Sequence, residues 1–172
     1  MKKEIYFAGG CFWGVEKYFS LIEGVTETEA GYANGNTENP SYEAVCRYDT
    51  GHAETVRVTY DPDKVTLPFL TEMYFDVIDP TTLNRQAHDI GTQYRTGIYY
   101  TDETDYAVIE TALRELQARY RKPVVVELKK LENYYPAEEY HQKYLDKNPG
   151  GYCHIGGAKF ESAKSRKPGD RA

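Results

Sequence analysis

Cys11 is the residue of this sequence best placed for covalent chemistry. It follows the pair Gly9-Gly10, where a short apolar run ends and apolar residues begin to recur at helical spacing. A thiol in the first turn of a helix lies near the positive end of the helix dipole, which favours the thiolate and lowers the thiol pKa. Cys11 is therefore predicted to be a reactive nucleophile. The alternative is a small buried apolar residue, because free cysteines are often buried.

Glu54 is the first candidate for acid–base chemistry. It lies in the clearest strand pattern of the chain, residues 52–60, on the same face as Val56 and Val58. Loss of solvation on an apolar face raises the pKa of a carboxyl group, so that it can act as a general acid near neutral pH. The alternative is a solvated position at the strand end. His52 shares this face and is a candidate partner.

Aromatic residues adjoin the candidate nucleophile. Phe12 and Trp13, the only Trp of the chain, follow Cys11 directly. They are predicted either to fill the core or to form the wall of a pocket for an apolar substrate group such as a methyl.

Two segments without regular periodicity carry further candidates. Cys153 ends a glycine-rich segment, residues 148–153, that we expect to be mobile. A second, mobile thiol suits a resolving role, in which it converts an oxidised cysteine to a disulfide; an ordinary surface thiol is the alternative. Residues 84–95 are rich in hydrogen-bonding side chains and are predicted to be either a functional loop or a solvated connection.

The sequence argues against a metal centre and a phosphate site. It contains no C-x-x-C or H-x-x-x-H pattern, and Gly9-Gly10 lacks the spacing of a phosphate-binding loop. We expect no metal and no other cofactor. A cysteine hydrolase built from Cys11, His88 and Asp89 remains an alternative, although no local pattern enforces it.

Composition narrows the class of protein further. A chain of 172 residues with 40% hydrophobic and 28% charged residues predicts one globular domain. The formal charge of -6 argues against binding to nucleic acid or to an anionic membrane. No apolar run approaches the roughly 20 residues of a membrane span. Three cysteines suggest a reducing compartment rather than a disulfide scaffold, and we expect a cytoplasmic monomer.

Strand-like and helix-like segments alternate irregularly, which favours an α/β or α+β sandwich. Cys46 is expected in strand-and-turn surroundings, and residues 157–172 are expected to form a basic, flexible tail or linker stub. The other predicted strands span residues 5–8, 25–33, 98–100 and 124–126. The predicted helices follow Cys11, run from Pro68 to before Pro80, and cover residues 106–120 and 137–147.

Several short blocks, in order and with matching spacing over about residues 5–156, resemble the peptide methionine sulfoxide reductase A family. Those blocks are Gly10-Cys11-Phe12-Trp13-Gly14, Gly31-Tyr32, Asn39-Pro40-Ser41-Tyr42, Val45-Cys46, Gly51-His52-Ala53-Glu54, Tyr60-Asp61-Pro62, Asp79-Pro80-Thr81, Asn84-Arg85-Gln86, residues 89–95, residues 141–145 and Gly151-Tyr152-Cys153. The resemblance implies a two-layer α/β (α+β) sandwich of ferredoxin-like type, with helices packed on a mixed sheet. It assigns residues 1–156 to the catalytic domain.

The resemblance also implies the reaction, which is reduction of the S epimer of methionine sulfoxide, free or in proteins. Cys11 matches the nucleophile that becomes a sulfenic acid, and Glu54 matches the acid that protonates the sulfoxide oxygen. Cys153 matches the cysteine that resolves the sulfenic acid to a disulfide, and thioredoxin is the implied reductant. No cysteine follows Cys153, so the implied relay has two cysteines.

The same resemblance implies the substrate contacts. Tyr42, Asp89 and Tyr94 match groups that hydrogen-bond the sulfoxide oxygen and position water. Phe12 and Trp13 match the pocket for the substrate methyl group. His88 stands where the family pattern leads us to expect Asn or Asp.

Overall fold

A computed structural model describes residues 1–167 as a mixed α/β structure. The strands are β1 (Lys3–Gly9), β2 (Val25–Ala33), β3 (Ala53–Tyr60), β4 (Arg85–Gln86), β5 (Asp89–Ile90), β6 (Thr96–Tyr100), β7 (Glu127–Lys130) and β8 (Tyr134–Pro136). The helices are α1 (Phe12–Ser20), α2 (Tyr42–Arg47), α3 (Leu67–Phe75), α4 (Thr104–Gln117), α5 (Tyr144–Lys147) and α6 (Gly157–Ser165), with 3-10 turns at Thr92–Tyr94 and Glu139–His141. Within this part of the chain no helix has the length and apolar character needed to cross a membrane.

Six strands form one mixed sheet in the order β7-β6-β1-β3-β2-β8. The pairs β1–β3, β1–β6, β2–β3 and β2–β8 are antiparallel, and β6–β7 is parallel. The succession β1-α1-β2-β3-α3-β6, with β3 between β1 and β2, is the split β-α-β arrangement of ferredoxin-like folds. The predicted fold class is confirmed.

The sheet face that meets the helices forms the core. Ile5 pairs with Val58 and Phe7 with Val56 across β1 and β3, as the alternating patterns predict. The Phe7 ring stacks on Phe19 of α1 at 4.7 Å between centroids. Buried tyrosine in this core can pair its hydroxyl group with backbone groups through hydrogen bonds. Tyr74, for example, donates a hydrogen bond to the Ala8 carbonyl and accepts one from the Gly97 amide.

Two predicted elements near the C-terminus are wrong. Residues 124–126 form no strand, because the Val124 amide binds the Gln117 side chain and the Val125 amide binds the Pro80 carbonyl. The helix predicted over 137–147 is reduced to a 3-10 turn and α5. It is interrupted where the Gln142 side chain pairs with the backbone of Ala30 and where Lys143 adopts a left-handed conformation, with φ of 54°.

Cys46 also lies in a different element from the one predicted. It belongs to the short helix α2, whose start is capped by Ser41 accepting a hydrogen bond from the Ala44 amide. Only Val45 of this helix is buried, so the sequence carries little periodic signal there.

The segment expected to be a flexible tail begins with a helix. Ala163 of α6 is fully buried, and Phe160 packs against the core with the Lys17 ammonium over its ring. Arg166 forms an ion pair with Asp76. These contacts, with an ion pair between Lys167 and Glu23, tie residues 157–167 to the sheet-and-helix body. Residues 168–172 of the predicted tail lie outside the described residues.

Candidate active site

Cys11 lies between β1 and α1, where the chain turns from the sheet into the helix. Gly10 has a left-handed φ of 87°, and a Cβ atom there would lie 2.8 Å from the Gln86 side chain. Glycine therefore lets the turn pass close to the 84–95 loop. Cys11 occupies the N-cap position of α1 and is 7% exposed.

Glu54 lies on β3 beneath the start of α1 and is 1% exposed. Its Oε1 accepts a hydrogen bond from the Phe12 amide at 3.1 Å, and its Oε2 is buried without a partner in the described structure. Burial raises the pKa of Glu54 to about 8, against the opposing effect of the Phe12 amide. This carboxyl group therefore holds its proton at neutral pH.

The Cys11 thiol does not have the lowered pKa predicted from its place at a helix N-terminus. Burial and the neighbouring Glu54 carboxyl group raise the pKa of Cys11, and the Trp13 backbone amide opposes this only in part. Loss of solvation exceeds the helix-end effect here because the thiol faces a largely closed, acidic site. Cys11 is therefore a neutral thiol at neutral pH.

The predicted oxygen-binding groups gather around this pair. Tyr42 opens α2, while Tyr94 ends the 3-10 turn of the 84–95 loop, and both side chains lie near the Cys46 thiol, where they oppose the rise in its pKa that burial causes. Asp89 acts electrostatically on both Cys11 and Tyr94. Its carboxylate accepts a hydrogen bond from the Tyr152 hydroxyl at 3.0 Å.

Aromatic rings line one side of the site. Phe12 is fully buried, with its ring 5.2 Å from the His141 ring. Trp13 is partly buried and stacks on Tyr144 with 3.8 Å between centroids and 12° between planes. The Trp13 indole also donates a hydrogen bond of 2.9 Å to Nδ1 of His141. The two predicted pocket residues are thus fixed by the segment around α5.

Cys153 is a free, partly buried thiol near Cys11. The backbone amide of Ile155 donates a hydrogen bond of 3.3 Å to its sulfur, and the sulfur contacts the first turn of α1. The segment expected to be mobile therefore places its thiol beside the helix that Cys11 caps.

Two histidines considered from the sequence lie apart from this chemistry. His52, the candidate partner of Glu54, is buried but pairs its Nε2 with the Thr37 carbonyl. His88 is exposed on the loop between β4 and β5. Among residues 1–167 no group of three or more His, Cys, Asp or Glu side chains is arranged to hold a metal ion.

Comparison with known proteins identifies the family. A family model described as Peptide methionine sulfoxide reductase matches residues 3–171. The chain belongs to the peptide methionine sulfoxide reductase family. It is 59% identical over 165 residues to Peptide methionine sulfoxide reductase MsrA of Lachnoclostridium phytofermentans, which covers 96% of this chain and 99% of that protein.

Solved structures of the same family share this fold. The reduced form of Mxr1 from Saccharomyces cerevisiae matches with a TM-score of 0.84 and 39% identity, covering 88% of each chain. Mxr1 in complex with Trx2 matches with a TM-score of 0.59 and 26% identity, covering 83% of this chain and 84% of that chain. As a member of the peptide methionine sulfoxide reductase family, the protein is an oxidoreductase.

Sequence reasoning assigned no role to several residues that the structure places in this peptide methionine sulfoxide reductase site. His141 and Tyr144 support Trp13, Tyr152 binds Asp89, and Cys46 lies near Tyr42 and Tyr94. The blocks at residues 141–145 and 151–153 carried the signal, but nothing in their spacing showed which side chains they would meet.

Proposed function

We propose that this protein reduces the S epimer of methionine sulfoxide, free or in proteins, to methionine. The observation that carries the proposal is the buried Glu54 beside the Cys11 thiol, with one carboxyl oxygen on the Phe12 amide and the other without a partner. The oxygen of a sulfoxide leaves only after protonation, and a carboxyl group that is still protonated at neutral pH can supply that proton.

The reductase step moves two electrons between two sulfur atoms. The Cys11 sulfur attacks the substrate sulfur while Glu54 donates its proton to the sulfoxide oxygen. The attack forms a bond between the two sulfur atoms. The protonated oxygen then moves to the Cys11 sulfur, and both the sulfur–oxygen bond of the substrate and the new sulfur–sulfur bond break, which leaves methionine and a Cys11 sulfenic acid. Methionine sulfur is reduced, Cys11 is oxidised, and the proton of the Cys11 thiol restores the acid form of Glu54.

The surrounding side chains hold the substrate for this step. We infer that Tyr42, Tyr94 and Asp89 hydrogen-bond the oxygen and the water near it, since all three lie within electrostatic reach of Glu54 or Cys11. Phe12 and Trp13 provide the apolar wall for the methyl group. With the oxygen, the methyl group and the attacking Cys11 sulfur each on a fixed side of the substrate sulfur, the remaining carbon chain of only one epimer points to the open side, which selects that epimer.

Recycling requires the second thiol. The Cys153 thiol attacks the Cys11 sulfenic acid, which gives a Cys11–Cys153 disulfide and one water molecule. A dithiol protein such as thioredoxin then reduces that disulfide by exchange. The complex of the relative Mxr1 with Trx2 supports this partner. A cytoplasmic location and a monomeric state stay predictions.

An assay on separated epimers tests the proposed function. The reduced protein is given the R or the S epimer of methionine sulfoxide with thioredoxin or a small dithiol, and methionine is quantified. We expect turnover of the S epimer alone. A thioester on Cys11 would instead indicate a hydrolase, and stoichiometric binding without methionine formation would indicate a binding module.

A further inference from the structure

Gly14, in the first turn of α1, is in close contact with the resolving thiol. A Cβ atom built on Gly14 would lie 2.7 Å from the Cys153 sulfur and 3.2 Å from Cδ1 of Ile155. Real Cβ atoms do not approach other heavy atoms so closely, so any side chain at this position would displace the sulfur.

The backbone of Gly14 does not itself require glycine. Its conformation is helical, and glycine is among the least favourable residues within a helix. Gly10 differs, because its positive φ explains the glycine there. The close approach of the Cys153 sulfur is the feature that calls for glycine at position 14.

The place of Gly14 in α1 gives this contact a chemical meaning. Cys11 is the N-cap and Gly14 is the third helical residue, so the two lie one turn apart on the same side of the helix. The sulfur that lies against Gly14 also accepts a hydrogen bond from the Ile155 amide at 3.3 Å. The resolving thiol is thus fixed close to the nucleophile before any disulfide forms.

We propose that Gly14 is a positioning residue whose missing side chain provides the seat for the Cys153 sulfur, from which that sulfur attacks the oxidised Cys11. This rests on the proposed role of Cys153 as resolving thiol. The step itself is the condensation of the Cys11 sulfenic acid with the Cys153 thiol to a disulfide and water. Gly14 takes no part in the reduction of the sulfoxide.

Gly14→Ala tests the seat. The added methyl group moves the sulfur by about 1 Å, and misplacement of that size can slow a reaction by up to about 100-fold. Reduced enzyme is mixed with one equivalent of methionine-S-sulfoxide. Methionine is quantified over time, and Cys11 sulfenic acid and the disulfide are followed by mass spectrometry after trapping. We expect methionine to form within about threefold of the wild-type rate, and the disulfide to form roughly 10–100-fold more slowly.

The steady-state assay provides a second signature. Thioredoxin-dependent turnover of Gly14→Ala should fall with disulfide formation, whereas turnover with a small dithiol, which can reduce the sulfenic acid directly, should stay near that of the wild type. Gly157→Ala is the matched control, because Gly157 is also helical and a Cβ there would meet nothing within 4 Å. Disulfide formation within twofold of wild type, or equal losses in both steps, overturns the proposal.

A separate variant distinguishes failure of the seat from failure of the relay. If Cys153→Ser keeps full thioredoxin-dependent turnover, then Cys153 is not the resolving thiol and the proposed function is wrong at that point. If Cys153→Ser loses recycling while Gly14→Ala recycles normally, only the seat is wrong.

Stability measurements keep the proposal testable should Gly14→Ala fold poorly. In the wild-type background the methyl group clashes with the sulfur, so the urea midpoint of unfolding should fall. In a Cys153→Ala background the sulfur is gone and only the end of the Ile155 side chain, 3.2 Å from the added Cβ, opposes the methyl group, so Gly14→Ala should lower the midpoint much less. An equal fall in both backgrounds overturns the contact.

Discussion

At the scale of single residues, burial acts in the same direction on Glu54 and on Cys11. It raises the pKa of both, so Glu54 is a neutral carboxyl group and Cys11 a neutral thiol at neutral pH. A pair of this kind lacks an activated thiolate, but it carries a proton that could be given to a sulfoxide oxygen. This protonation state fits the acid-assisted attack that we propose.

Glu54→Gln should lower the activity of the protein without lowering its stability. The amide can still accept the Phe12 hydrogen bond but cannot donate the proton, so the single-turnover reductase rate should fall about 10²–10⁴-fold. In the wild type that rate should decline as pH rises through about 8, where Glu54 loses its proton, and the variant should lack this decline. A variant rate within twofold of wild type would rule out Glu54 as the acid.

The same substitution should stabilise the folded protein. The pKa of Glu54 in the folded state, about 8, is above its ordinary value of 4.5, so its stability contribution is fully present below pH 4.5 and is lost as pH rises through 8. Glu54→Gln avoids that loss and should be more stable by on the order of 1–3 kcal/mol at pH 7. Urea unfolding of both proteins at pH 4.5 and pH 7 measures the difference, which should shrink at the lower pH.

Cys11→Ser should abolish turnover, whereas Cys46→Ser should leave it near normal. A serine hydroxyl at position 11 cannot be oxidised by the sulfoxide, whereas at position 46 it keeps a small polar group beside Tyr42 and Tyr94. Turnover and methionine yield are measured with a small dithiol and with thioredoxin. Equal losses in two folded variants, or a Cys11–Cys46 disulfide in the wild type, would contradict this assignment.

At the scale of elements, the aromatic wall depends on a segment far along the chain. The 3-10 turn Glu139–His141 and α5 pack against the start of α1, where His141 and Tyr144 hold Trp13. The Lys143 amide donates a hydrogen bond to the buried Glu16 carboxylate of α1, which anchors the same segment. The orientation of the pocket is thus set by contacts between elements.

Hydrophobic periodicity correctly predicted the strands and helices that bury a single face. It did not predict the elements that lack such a face. Alternation along β3 and helical spacing in α1 follow directly from burial against the core. The C-terminal third was mispredicted because side-chain to backbone contacts, such as Gln142 with Ala30, replace regular pairing there. Cys11 and Glu54 could be nominated singly, but the hydrogen bond that fixes Glu54 beside the start of α1 joins the Phe12 amide to a residue 42 positions away, and this proximity was expected only from the family resemblance.

His141→Phe should weaken substrate binding more than chemistry. Phenylalanine keeps the ring packing but removes the acceptor of the Trp13 indole, whose N–H would then lack a partner at a cost of about 1–3 kcal/mol. We expect KM for the sulfoxide to rise several-fold while the single-turnover rate at saturation changes little. His141→Gln, which can restore an acceptor, is the matched variant and should recover part of the KM. A fall in the saturated rate with unchanged KM would argue against positioning through Trp13.

At the scale of the whole molecule, the chain returns twice to α1 after the sheet is complete. Both α5 and α6 contact this helix, and Cys153 lies in the segment between them. The segment that carries Cys153 is therefore held from both ends, and α6 contributes one of the two anchors. This gives the segment after residue 156 a structural role that its basic composition does not suggest.

Ala163→Asp tests whether α6 belongs to the folded domain. Ala163 is fully buried against the core, so a carboxylate there loses its solvation, and the protein should lose about 2–4 kcal/mol of stability. Ala158→Asp is the matched control, because Ala158 is exposed in the first turn of the same helix, where an acidic residue is tolerated or slightly favourable. Urea unfolding of the two variants gives the comparison. Thioredoxin-dependent turnover should fall in Ala163→Asp alone, since loosening α6 frees one end of the Cys153 segment. Equal stability and equal turnover of the two variants would mean that residues 157–172 are the dispensable tail that their composition predicts.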